Sequence, residues 1–406
     1  MAIDSKNNVL IYLSKLLEEN QSNIIYQNQI DIDNLSHSDD SMRDRLKIDE
    51  DKIKGMIKSL SEVALQNNPV GKVLYEYTRD DGLHFVNKTV PFGTILIIYE
   101  SRPDVTIEAA ATAFKAGNKI LLKGGKESIN SNLILTELWQ QSLVENGFEK
   151  EFVQYLDISG EDTQSLIKDN THNIDLIIPR GGDGLINFVT KNSSVPVIVS
   201  GRGNNFLYID NEVDIAIATQ LIINGKQRIS VCNAIDKVIV NRNIDDLQSN
   251  INIFVDALKA NNISAYADQE TSKLSTSLIV DESDNIMYEE FLAPKIYFTL
   301  ADDIEQAINT INKFSGGHSA VIATTNRDKA KQFMQEVDCA AVYHNASSRF
   351  TDGGQFGVGA EIAISTQKIH FRGPLGAQEL VTNKWFVFGD GHVRDQPVSK
   401  SSCNNT

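Results

Sequence analysis

The sequence predicts an α/β protein: a doubly wound parallel sheet, then a second α/β unit, with a β-ribbon projecting from the pair. Three observations lead there. From residue 94 onward, apolar runs of strand length alternate with helix-length stretches, the rhythm of parallel sheets covered on both faces. At 406 residues the chain is too long for one ordinary core, so two or more units are expected. Ahead of the first apolar run, Asp81-Gly82 supplies a positive-φ turn between two alternating segments, the mark of a hairpin.

Taken in order, residues 7–65 read as helices. Val9, Leu10, Tyr12, Leu13, Leu16 and Leu17 form one apolar stripe, and Ile53, Met56, Ile57, Leu60 and Val63 form another. The polar stretch 36–51 between them reads as a solvated connection. The hairpin at about 74–90 is expected to be an arm. Thr94-Ile-Leu-Ile-Ile-Tyr99 is apolar throughout, as in a strand buried on both faces. A helix at 105–115 closed by Gly117, a strand at 119–122, a helix through about 144 and strands at 152–156, 175–178, 195–199 and 206–209 complete a first unit, 1–210. A second unit, 211–365, begins with a helix at 214–224 and a strand at 238–240. It continues through a helix at 254–258, strands at 278–280 and 294–298, a helix at 304–311 and a strand at 320–323. A late strand, about 379–388, lies in 366–394, and the polar tail 395–406 reads as disordered.

A net charge of −16 argues against nucleic-acid and anionic-membrane surfaces, and an anionic ligand must be held by local cations. The chain has no run of 18 apolar residues, and Met1-Ala-Ile-Asp-Ser-Lys6 lacks a signal-peptide core, so a cytoplasmic protein is expected. Cys232, Cys339 and Cys403 are an odd, widely spaced set, suited to a reducing compartment and to neither a disulfide framework nor a metal site.

Cys232 falls on a short connection between helix and strand, where a thiol can face a cleft. A free thiol has a pKa of about 8.5, and the nearby Lys226, Arg228 and backbone amides are expected to lower it. The residues alone leave two readings open, a nucleophile or a small buried hydrophobe. Cys339, in Cys-Ala-Ala-Val-Tyr, reads as a structural strand residue. Two glycine turns, Lys123-Gly-Gly-Lys126 and Pro179-Arg-Gly-Gly-Asp-Gly184, sit at strand ends that face the crevice of such a sheet. Neither is a full dinucleotide fingerprint. Residues 349–361 form a third glycine-rich loop.

Six segments, in order, carry a resemblance: Tyr99-Glu-Ser-Arg-Pro-Asp104, Leu122-Lys-Gly-Gly-Lys-Glu-Ser128, Ile178-Pro-Arg-Gly-Gly182, Gln227-Arg-Ile-Ser-Val-Cys-Asn-Ala234, Phe350-Thr-Asp-Gly-Gly-Gln-Phe-Gly-Val-Gly-Ala-Glu-Ile362 and Ile364-Ser-Thr-Gln-Lys-Ile-His-Phe-Arg-Gly-Pro-Leu-Gly376. Over about residues 7–394 the chain resembles the gamma-glutamyl phosphate reductases (glutamate-5-semialdehyde dehydrogenases) of the aldehyde dehydrogenase superfamily. The resemblance implies an aldehyde dehydrogenase-like fold. Its parts are a Rossmann-type NADPH-binding domain (1–210), a catalytic domain (211–365) carrying Cys232, and a β oligomerisation arm that 366–394 completes.

It also implies roles. Cys232 is the expected nucleophile, forming a thioester with L-glutamyl 5-phosphate that NADPH reduces to the 5-semialdehyde. Its own amide and the Ser101-Arg102 turn would steady the oxyanion. Lys123 would reach the adenosine ribose. Lys126 stands where NAD-preferring relatives carry an acid, and its attraction for a 2′-phosphate, about 1 kcal/mol or more, favours NADPH. Pro179, Arg180, Gly181 and Gly182 would contact the pyrophosphate, and Glu290 the nicotinamide ribose, with Glu289 beside it as the competing register. Arg349 or its neighbours in the glycine loop are expected on the α-carboxylate, Arg102 or Arg228 on the phosphate, and Asn233 at the substrate. Ordinary aldehyde dehydrogenases activate water with a glutamate in a Glu-Leu-Gly-Gly segment, where this chain has Ser200-Gly-Arg-Gly-Asn-Asn205. Two departures stand out: Ile229 where proline is common, and one helix fewer ahead of Asn7. The expected partners are the small-molecule substrate, further copies of the chain and glutamate 5-kinase. An aldehyde or acyl-CoA-type dehydrogenase and a non-catalytic scaffold are the rival readings.

Overall fold

The computed structural model describes residues 5–35, 40–229 and 231–394, without the side chains of Asp40, Ser41 and Asp183. Ser230, Cys403 and the tail 395–406 lie outside the described residues.

Four helices open the chain: α1 (Ser5–Glu19), α2 (Gln21–Asp33), α3 (Asp40–Leu46) and α4 (Glu50–Leu65). The two stripes read from the sequence meet, since α1 packs on α4 with Leu10, Leu13, Ile53, Met56 and Leu60 fully buried. The stretch 36–51 is more than a solvated link. It holds α3, buries Leu46 and Ile48, and starts α4 with an Asp49 cap that accepts from the Lys52 amide at 3.0 Å. Its apolar residues are too few to show a period.

The hairpin pairs β1 (Val73–Thr78) with β2 (His84–Pro91), with Gly82 at φ 90° in the turn. Strand and helix then alternate: β3 (Thr94–Tyr99), α5 (Val105–Lys115), β4 (Lys119–Lys123), α6 (Ile129–Glu145), β5 (Val153–Tyr155), α7 (Gly160–Asp169), β6 (Leu176–Arg180) and α8 (Asp183–Asn192). The four strands make one parallel sheet in the order β5-β4-β3-β6. The chain steps outward from β3 to β5 and then returns to β6 on the other side. This reversal opens a crevice beyond the carboxyl ends of β3 and β6.

A second parallel sheet, in the order β10-β9-β11-β8-β7-β12-β13, follows. Its elements are β7 (Asn205–Ile209), α9 (Ile215–Lys226), β8 (Ile235–Asn241), α10 (Leu247–Ala260), β9 (Ser264–Ala267), β10 (Ile279–Val280), β11 (Lys295–Ala301), α11 (Ile304–Phe314), β12 (Ser319–Ala323), α12 (Arg327–Glu336) and β13 (Ala341–His344). The run 206–209, read as the last strand of the first unit, belongs to this sheet, paired with β8 and β12. The seam between the sheets therefore falls ahead of Asn205. The expected strand at 195–199 contributes only an isolated bridge between Val197 and Ile177, next to Pro196, which has no amide hydrogen to extend a ladder. Cys339 is buried just ahead of β13, 3.6 Å from the Ser315 hydroxyl.

The last segment forms a short ribbon, β14 (Ala363–Ser365) with β15 (Gly373–Leu375), and then β16 (Val381–Phe388), antiparallel to β2. Ile362, Ala363, Leu375 and Leu380 pack into the first unit's core, so the chain's end locks the two units together. The sheet β1-β2-β16 is rooted in the first unit's core through Val381 and exposes Tyr75, Trp385 and Phe388. Among the described residues, no helix is long and apolar enough to cross a membrane.

Candidate active site

Cys232 lies in the loop between α9 and β8, partly exposed. The first unit supplies its ceiling. Arg102, beyond β3, and Arg180, at the end of β6, both act electrostatically on the thiol across the seam. Arg102 donates to Asp104 Oδ2 at 2.8 Å, and Lys52 of α4 pairs with the same oxygen at 3.3 Å. Burial pulls the Arg102 pKa down, but Asp104 more than offsets this and leaves it raised. At Arg180, burial and the neighbouring Arg102 charge prevail and lower it.

The second unit fixes the loop from below. Asn205, first residue of β7, donates through Nδ2 to the carbonyls of Cys232 and Ala234, each at 2.7 Å. A Cβ on Gly203 would overlap the Cys232 backbone, so the segment 200–205 runs against the peptide of Cys232 itself. That segment carries no carboxylate. Asn233 holds the glycine-rich loop by donating to the Thr351 carbonyl at 2.9 Å, and its Oδ1 accepts from the Arg349 guanidinium. Ser348 Oγ donates back to the Asn233 carbonyl at 2.7 Å. Arg349 thereby faces Cys232 and lies near Arg228, a like charge on the exposed approach to the loop. Two neighbouring cations of this kind are stabilised by an anion between them.

The thiol is not the acidified group that the sequence suggests. Burial, then the negative charges of Glu361 and Glu290, push the Cys232 pKa up to about 11, against the opposing pull of Arg180 and its own amide. Lys226 gives no help. It is fully buried and paired with Asp236 at 2.5 Å. That pair serves the backbone instead. The other Asp236 oxygen accepts from the Phe291 amide at 2.9 Å, and buried Lys237 donates to the Glu289 carbonyl at 2.7 Å. Together they fix the segment that carries Glu290, the member of the Glu289-Glu290 pair that acts on Cys232.

Other expected residues lie apart from the thiol. Ser101, at φ 46°, gives both its amide (2.8 Å) and its hydroxyl (2.7 Å) to Glu127 of the next βα turn, which leaves Arg102 as the side chain of that pair directed at Cys232. Lys123 donates to the Gly124 carbonyl at 2.7 Å, and Lys126 is exposed. At the 179–182 turn the Gly182 amide, at the start of α8, receives the Glu100 carboxylate at 2.9 Å. A Cβ on Gly181 would overlap the same carboxylate. The turn is thus a bare cradle that already holds an anion.

Glu361 and Asn205 escape a reading of the residues one at a time. The signal for Glu361 is an acid alone in Ala360-Glu-Ile-Ala-Ile364, and a lone acid carries no sign of which group it faces. An apolar cleft of about 810 Å³ lies elsewhere, between α9 and α10, lined by Ile215, Ile223, Ile253 and Ile263. Its lining is mostly aliphatic and amide, with Thr219 and the Asp236-paired Lys226 as its other polar side chains, so the chemistry belongs to the seam.

Two parallel α/β units with a cysteine loop at their seam, faced by arginines and lying beside a glycine turn whose Gly182 amide takes the Glu100 carboxylate, have the layout of an α/β enzyme. Residues 2–273 and 274–360 match the model of the aldehyde dehydrogenase family. A gamma-glutamyl phosphate reductase of Clostridium botulinum (strain Alaska E43 / Type E3) is 39% identical over 392 residues, 96% of this chain and 94% of that one. One from Persephonella marina is 40% identical over 400 residues, 97% and 90% of the two chains. The crystal structure of gamma-glutamyl phosphate reductase from Thermotoga maritima superposes with a TM-score of 0.91 at 37% identity, covering 97% of this chain and 95% of that one. The chain belongs to the aldehyde dehydrogenase family and, within it, to the gamma-glutamyl phosphate reductases.

Proposed function

We propose that the chain reduces L-glutamyl 5-phosphate to L-glutamate 5-semialdehyde and phosphate through a thioester on Cys232, the second step of proline synthesis from glutamate. One observation carries this reading: arginines 102, 180 and 349 act on a single thiol, with Arg228 beside Arg349, in a chain of net charge −16. Such a cluster suits a substrate that is anionic at both ends and whose leaving group is phosphate. Arg349 would take the α-carboxylate, Arg102 or Arg228 the phosphate, and the Cys232 amide with Arg102 the developing oxyanion. Asn233, bonded to the Thr351 carbonyl and to Arg349, would set the substrate arginine against the nucleophile.

When bound, a reduced nicotinamide supplies hydride to the acyl carbon. The residues present fit it. Pro179, Arg180, Gly181 and Gly182 would hold the pyrophosphate, which would displace the Glu100 carboxylate from the Gly182 amide. Lys123 and Lys126 would take the adenosine end, where the exposed Lys126 favours a 2′-phosphate and hence NADPH. Glu290 would hold the nicotinamide ribose. We read the arm β1-β2-β16 as an assembly surface for further copies of the chain, the setting as cytoplasmic, and glutamate 5-kinase as a partner in passing on an unstable acyl phosphate.

The test is NADP reduction with glutamate 5-semialdehyde, with and without inorganic phosphate. Turnover should require phosphate, and Cys232→Ala should lower it by about 10³-fold or more. Equal rates in phosphate-free buffer would exclude the acyl phosphate, and a fully active Cys232→Ala enzyme would exclude the thioester.

A further inference from the structure

We propose that Glu361 is the general base for Cys232, taking the thiol proton as sulfur attacks and returning it when the thiol is re-formed. The inference rests on Cys232 being the nucleophile named above.

Glu361 Oε2 is buried and has no hydrogen-bond partner among the described residues. A buried, unpartnered carboxylate oxygen is costly in a folded protein. The Gly353 backbone acts on the carboxylate and partly offsets that cost. Gly353 also makes room for it: a Cβ there would stand 2.9 Å from Oε2 and 3.0 Å from the Glu361 Cβ. Gly353 lies two positions beyond Thr351, whose carbonyl is held by Asn233, the neighbour of Cys232. The same hydrogen bonds that fix the nucleophile's loop thus fix the seat of Glu361. The charged and titratable groups acting on Glu361 and Cys232 here are Asp352, Arg180, Glu290, Arg102 and Arg349. Burial, followed by Asp352, raises the Glu361 pKa to about 7, where a group can accept and release a proton at neutral pH. The resting thiol, at about 11, needs such help.

The step balances. The Cys232 S–H bond breaks and its proton passes to Glu361 Oε2, directly or across one water, as the S–C bond to the acyl carbon forms. The bond between the acyl carbon and the phosphate oxygen then breaks, and phosphate leaves with that electron pair and takes a proton from water. When the C–S bond of the reduced thiohemiacetal breaks, sulfur keeps the pair and recovers its proton from Glu361. This base differs from one that activates water, because the thiol is its only proton donor in the cycle.

The experiment is the rate of Cys232 alkylation by iodoacetamide across pH, in the full-length enzyme without substrate or cofactor. Cys232→Ala provides the background from other thiols. Wild type should show a rise through about pH 7, ahead of the thiol's own ionisation near 11. Glu361→Gln should lose the lower rise and react at least about tenfold more slowly at neutral pH. The opposite sign overturns the proposal. If Glu361 is merely a neighbouring negative charge, removing it lowers the thiol pKa, and Glu361→Gln reacts as fast or faster. A wild-type profile with no rise near pH 7 overturns it equally, without any variant that must fold. Because no acyl phosphate enters the assay, a wrong substrate assignment leaves this result unaffected. A normal alkylation profile with no phosphate-dependent turnover would instead count against the substrate.

Discussion

At the scale of single residues, the arginines around Cys232 have separable roles. Arg349 reaches the thiol's neighbourhood through Asn233, and the cation Arg228 and the carboxylate of Asp352 both act on it. Arg349→Ala should therefore raise KM for the semialdehyde by about tenfold or more, the order of one charge-assisted hydrogen bond. NADP affinity should stay the same, because the cofactor turns lie on the other unit. Steady-state kinetics with NADP binding measured by fluorescence check both halves, and unchanged kinetics would remove Arg349 from the site. Much of this site was legible in the sequence, because cysteine, arginine and clustered glycine announce themselves by type and position. What stayed hidden were pairings across the chain. The Ser101 hydroxyl looked free until Glu127 arrived from the next βα turn, and Lys226 looked like an activator of Cys232 until Asp236 claimed it inside the core. Asn205 reads in the sequence only as the end of the 200–205 segment that lacks a glutamate, yet its side-chain amide joins the starts of β7 and β8 beneath Cys232.

At the scale of elements, apolar runs bounded by glycine gave most strands and helices closely, including α5, because strands buried on both faces leave a continuous signature. Sheet membership was less legible. The run that became β7 has the same composition as the strands of the first sheet, and only its pairing with β8 and β12 assigns it to the second. The arm was readable as a hairpin, but its third strand comes from the far end of the chain. Tyr75 and Trp385 meet edge to face there, ring centroids 5.6 Å apart, on an exposed surface. Trp385→Glu places a charge on that surface without breaking a backbone ladder. It should shift sedimentation toward smaller species while the alkylation rate of Cys232 stays within about twofold, since the arm stands clear of the seam. An unchanged sedimentation coefficient would remove this face from assembly.

At the scale of the whole molecule, His318 is one contributor to acid sensitivity, beside ion-paired carboxylates such as Asp104 and Asp338. His318 is fully buried; Nδ1 lies 2.8 Å from the Ser319 hydroxyl, and Nε2 has no partner among the described residues. Burial lowers its pKa to about 4, against an ordinary value of 6.5. Between those values the unfolded chain binds the proton and the folded one does not, so stability rises with pH. The contribution is complete above about pH 6.5 and is lost as pH falls toward 4, reaching about 3 kcal/mol at most. Urea unfolding as a function of pH should show this slope, and His318→Asn should flatten it. An unchanged slope in the variant would assign the acid sensitivity elsewhere.

The arm also sets a clock. His392 closes its tip onto the Asp81 carbonyl, 2.7 Å away in space and 311 positions away in sequence. On a ribosome adding about 5–20 residues per second, that delay is about 15–60 s. For all of it β2 waits with one edge unpaired, a two-stranded ribbon of marginal stability. An unpaired edge is where another nascent chain can add, so the surface that would join finished subunits is also the one most open to premature pairing during synthesis.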